Sequence, residues 1–85
     1  MNKARREELL EVLDVLDEAK SMIEDIHDDE EDSMYSLPEG LQESSTGLAM
    51  QEAMETLDGF VDSINQIQCQ IEAFARPKKK PKKNT

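Results

Sequence analysis

Eight carboxylates, among them the five of Asp25, Asp28, Asp29, Glu31 and Asp32, crowd into the stretch IEDIHDDEEDSMYSLPE, residues 23–39. The first chemistry such a cluster suggests is cation chelation. Asp28, Glu30, Asp32, Ser36 and Glu39 fall at the first, third, fifth, ninth and twelfth places of a calcium-loop template. Ser33 stands where the template needs its turn glycine, and Pro38 occupies the eleventh place. The carboxylates also continue a helical pattern rather than a loop, so no metal site is expected. The second chemistry is recognition of a basic surface. Rows of carboxylates on a rigid helix match the phosphate rows of nucleic acid in charge and spacing, and they could occupy the basic groove of a nucleic-acid-binding protein. Asp25, Asp28, Asp29, Glu31 and Asp32 are therefore the candidate partner-binding site.

Catalysis has little to draw on. His27 is the sole histidine, Cys69 the sole thiol, and there is no glycine-rich phosphate loop. No nucleophile–base pair or acid–base pair is singled out by spacing, so neither an enzyme nor a cofactor is expected. The C-terminal run RPKKKPKKNT makes the opposite electrostatic claim. Arg76, Lys78, Lys79, Lys80, Lys82 and Lys83 suit phosphate contacts, Pro77 and Pro81 favour an extended chain, and no aromatic interleaves the lysines for base stacking. Any nucleic-acid contact there should be independent of sequence.

The formal charge of −10 hides a partition. Residues 1–75 carry all twenty acids against Lys3, Arg5, Arg6 and Lys20, and residues 76–85 carry six bases and no acid. With 85 residues, the chain can form one small domain, marginal alone unless it is stapled, metal-bound or oligomeric. A single cysteine allows no internal disulfide and suits a reducing compartment; the expected location is the cytoplasm of a bacterial host. No apolar run reaches the ~20 residues of a membrane span. The charged N-terminus does not read as a secretory signal.

Positioning the carboxylates falls to two helices of matched length, about 3–35 and 45–76, with a connection at 36–44 and a basic tail at 77–85. In the first, Leu9, Val12, Leu16, Ala19, Ile23 and Ile26 step by three and four. In the second, Met50, Ala53, Leu57, Phe60, Ile64, Ile67, Ile71 and Phe74 do the same. Pro38 disfavours helix at Leu37, Gly40 offers a break, and Ser44, Ser45 or Thr46 can cap the second helix. A fold near residue 40 sets Leu9 against Ile71, Val12 against Ile67, Leu16 against Ile64, Ala19 against Phe60, Ile23 against Leu57 and Ile26 against Ala53. The expected fold is all-α, an antiparallel coiled-coil-like hairpin. Leu10, Leu13, Val15, Met22, Met54 and Val61 are left flanking that seam, and Gln66 and Gln68 lie on an uncharged strip. They form a candidate interface, closed by a second copy in a dimeric four-helix bundle. Gly59, mid-helix and off the seam, would let a partner's backbone approach.

The segments from Glu11 to Ile64, with a DEE run ahead of a Leu-Pro-Glu and Leu-Gln connection, resemble small acidic helical-hairpin proteins of bacteriophages and mobile elements. The resemblance spans about residues 8–75. It implies a phage or bacterial origin and assigns no site residues; the lysine tail departs from the pattern. The expectation is a non-enzymatic accessory or inhibitor protein that binds a basic protein through its acidic helix faces, by nucleic-acid mimicry in one form. A nucleic-acid accessory protein working through the tail and a coiled-coil self-assembly element are the alternatives.

Overall fold

The computed structural model describes residues 1–76; the tail lysines Lys78, Lys79, Lys80, Lys82 and Lys83 lie outside the described residues. Two α-helices, α1 (Lys3–Tyr35) and α2 (Ser45–Ala75), pack against each other and are the only regular elements among the described residues. Asn2 caps α1: its Oδ1 accepts a hydrogen bond from the Arg5 N–H at 2.8 Å. At the other end the Ser36 hydroxyl donates to the Asp32 carbonyl at 2.8 Å. Pro38 then admits only a tight turn, closed by the Leu41 N–H donating to the Pro38 carbonyl at 3.0 Å, with Gly40 at φ +93°. Ser44 caps α2, its Oγ accepting from the Gly47 N–H at 3.4 Å while its hydroxyl donates to the Leu41 carbonyl.

Gly47 has a role that the periodicity does not reveal. A Cβ at this position would collide with the Gln42 carbonyl and would lie 2.7 Å from the Gln42 Cα. The first turn of α2 is thus laid directly on the connection's backbone, which only glycine allows. At Gly59, by contrast, an added Cβ would have nothing within 4 Å, so nothing within the hairpin requires a glycine there.

The helices run antiparallel, but their contact is rotated from the expected seam. With Leu9, Leu16 and Ile23 at heptad position a of α1, and Met50, Leu57, Ile64 and Ile71 at position a of α2, all seven are half-buried as expected. The second seam position is e, not d. On α1 it holds Leu13, Lys20, His27 and Met34; on α2 it holds Gly47, Met54, Val61, Gln68 and Ala75. Of the expected d residues, Ala19 and Ala53 are half-buried, but Val12, Ile26, Phe60, Ile67 and Phe74 are exposed, from 39% at Val12 to 58% at Phe74. Of the flanking set, Leu10, Leu13, Met54, Val61 and Gln68 are half-buried within the hairpin itself, while Val15, Met22 and Gln66 stay exposed.

The physical reason lies at the two ends of α2. Gly47 and Ala75, both at e, are the two small buried residues of α2, and Gly47 sits on the backbone of Gln42 in the connection, a seat that fixes the rotation of α2 at its start. The bulky Phe60, Ile67 and Phe74 at d would hold the helices apart. Polar contacts lock the rotation. Gln68 Nε2 donates to the Leu13 carbonyl at 3.2 Å and to Asp17 Oδ1 at 2.8 Å, and Lys20 Nζ donates to Asn65 Oδ1 at 2.7 Å. Residue numbers of these cross-helix pairs add to 81 (13 with 68) or 85 (17 with 68, 20 with 65), slightly beyond the expected 80. The body measures 60 × 28 × 14 Å, a single layer of helices.

Candidate functional site

α1 carries the acidic cluster because nothing breaks it before Ser36: residues 24–35 contain neither proline nor glycine. The cluster occupies the last turns of α1, where the helix dipole already presents negative charge and where no basic residue sits in the final turn. Asp25, Asp28, Asp29 and Asp32 are exposed, and Glu30 and Glu31 are half-buried. Successive carboxylates wrap the helix, so the pole is negative on several sides at once.

Counter-charge is scarce. His27, half-buried at position e, is the one basic side chain at the pole among the described residues. Its Nδ1 lies 3.4 Å from Asp28 Oδ1 and its Nε2 3.5 Å from Asp58 Oδ1 across the seam. Asp25, Asp29, Glu30, Glu31 and Asp32 have no ion-pair partner within 4.0 Å among the described residues. One donor atom from each of His27, Asp28 and Glu31 falls within 4.8 Å of the others. Both histidine nitrogens already face Asp28 and Asp58, and exposed groupings of this kind are common without an ion, so the geometry adds nothing to the metal reading.

The opposite end gathers Lys3, Arg5, Arg6 and Arg76, because a hairpin brings its two ends together. Arg76 is tied to its own helix, Nη1 donating to Glu72 Oε2 at 2.7 Å. Cys69 is an exposed free thiol. One open groove along the hairpin is lined by Cys69, Glu72, Ala73 and Arg76, with the Glu72 carboxylate held by Arg76, and another by Leu37, Glu39, Gly40, Gln42, Glu43 and Gln51. No helix among the described residues is long and apolar enough to cross a membrane.

Part of the uncharged strip turns out to serve the fold. Asn65 and Gln68 grip Lys20 and Asp17 across the seam. The sequence signal was available: Lys20 is the one strong base between Arg6 and Arg76, and it sits one heptad position from Ala19 on the seam side. Comparisons with known proteins return no match among family models, curated proteins or solved structures. The phage-type resemblance therefore stands on its motif residues alone.

Proposed function

We propose that this chain is a non-enzymatic protein-binding module, an accessory or inhibitor protein of phage or mobile-element type, whose acidic pole binds a basic, nucleic-acid-binding partner. The observation that carries the reading is the run of carboxylates at the end of α1 with almost no compensating charge. Like charges that also oppose the helix dipole are unfavourable in the free protein. A basic groove relieves both effects at once. The mechanism is occlusion: carboxylates held on a stiff helix stand where phosphates would lie.

The hairpin acts as half of a four-helix bundle in this reading. Only Met34 and Ala75 are buried apolar residues among those described, and a single layer of helices with an exposed apolar stripe lacks the second layer from which domains are built.

The test is capture from a bacterial lysate by the full chain and by the quadruple variant Asp28→Asn, Asp29→Asn, Glu31→Gln, Asp32→Asn. The wild-type chain should retain a basic protein that salt elutes, and the variant should lose it while keeping its helix content. Equal capture by both chains rejects the acidic-pole reading.

A further inference from the structure

The d line left out of the hairpin seam forms a surface in its own right. Val12 and Ile26 on α1 and Phe60, Ile67 and Phe74 on α2 are exposed along it, with the half-buried Ala19 and Ala53 in the same rows, and Val15 and Met22 widen the α1 side at position g. Met22 is 65% exposed and Phe60 51%. The stripe extends roughly 30 Å along α2 at 1.5 Å per residue and about 20 Å across two helices. Its footprint of roughly 600 Å² approaches the ~800 Å² per partner of a standard interface.

We propose that a second copy of this chain covers that face, docked antiparallel with the two connections at opposite ends. The proposal rests on the bundle reading above and adds the occupant, its orientation and its register. A two-fold axis through Ala19 sets Val12 opposite the second copy's Ile26. On α2, the matching axis falls between residues 63 and 64, setting Phe60 opposite Ile67 and Ala53 opposite Phe74. Each large side chain meets a smaller or equal one, as close packing requires. The two rows must share one height in the hairpin for this to hold. Residue 19 and the 63–64 midpoint add to between 82 and 83, inside the 81–85 range of the observed cross-helix hydrogen bonds. The register that satisfies one row therefore satisfies the other.

Charge selects the orientation. Arg5 occupies the next d position along α1 before Val12. In the antiparallel seat it lies opposite the second copy's Ser33, beside the second copy's Asp29 and Asp32. A parallel seat would stack the two acidic poles on each other. Asp28 and Glu31 sit off the docked face and stay free for a basic partner.

The experiment uses the full chain. Light scattering should give twice the 9.7 kDa chain mass. A spin label on Glu39→Cys in a Cys69→Ser background should then report a separation of about 50–60 Å, set by ~20 residues on each side of the axis at 1.5 Å each. A dimer with labels within roughly 20 Å is the parallel arrangement and overturns the proposal, as does a monomer or a higher oligomer at the same concentration. Arg5→Glu should weaken the dimer roughly two- to five-fold at low salt, and adding Asp29→Lys should restore it. Indifference to the swap overturns the pairing of poles. These measurements need no basic partner. A correct dimer whose acidic pole captures nothing rejects the function alone, and a monomer that still captures one rejects the dimer alone.

Discussion

The two apolar faces of this hairpin have nearly the same sequence character and opposite fates. One, at heptad positions a and e, zips α1 to α2. The other, at d and g, stands in solvent with three large residues of α2 and four apolar residues of α1 exposed. What separates them is not hydrophobicity but shape and polar pairing. Position e ends in Gly47 and Ala75 and carries the Lys20, Gln68 and His27 contacts. Position d carries the phenylalanines. A helix chooses its nearest neighbour by how closely the backbones can approach, and it keeps the bulkier edge for the next layer.

A charge in the closed seam should have the largest effect. Ile64→Asp puts a carboxylate at position a, between both faces, and should abolish the cooperative thermal transition seen by circular dichroism. Even at a half-buried position, an unpaired charge costs a large part of the few kcal/mol available to a chain of this size. Next in size is Gly47→Ala. The added methyl runs into backbone rather than a yielding side chain, so urea denaturation should show a loss of about 1–3 kcal/mol. A retained midpoint would mean that the turn does not set the rotation of α2. Gln68→Ala removes two cross-helix hydrogen bonds and should cost about 0.5–1.5 kcal/mol by the same assay. The smallest effect has the opposite sign. Gly59→Ala meets open space and should stabilise by roughly 1 kcal/mol; destabilisation would show that something does press on that backbone.

Much of the fold could be read in advance. The three-four stepping of both segments, the Pro38 and Gly40 break and a cap at Ser44, Ser45 or Thr46 led to helices over about 3–35 and 45–76, beside the observed Lys3–Tyr35 and Ser45–Ala75. Position a was also legible, because Leu9, Leu16, Ile23, Leu57, Ile64 and Ile71 serve any rotation of the pair. The choice between d and e was not. Each of those lines holds enough apolar residues to make a seam, and composition favours the line with the phenylalanines. The deciding facts are a glycine whose need arises only when the connection's backbone lies against it, and polar partners forty-five and more residues apart. The acidic pole was legible as a cluster, yet its meagre pairing, one histidine shared by Asp28 and Asp58, emerges only once α2 is in place.

The rotation of the seam is the claim on which the open face, the dimer and the free acidic pole all depend. Thiol reactivity of Val61→Cys and Ile67→Cys, each in a Cys69→Ser background and in dilute, helical protein, tests it directly. Val61→Cys should react slowly at every dilution that preserves the helices, whereas Ile67→Cys should react fast and become protected only as concentration rises. A slow Ile67→Cys beside a fast Val61→Cys in the dilute protein would contradict it.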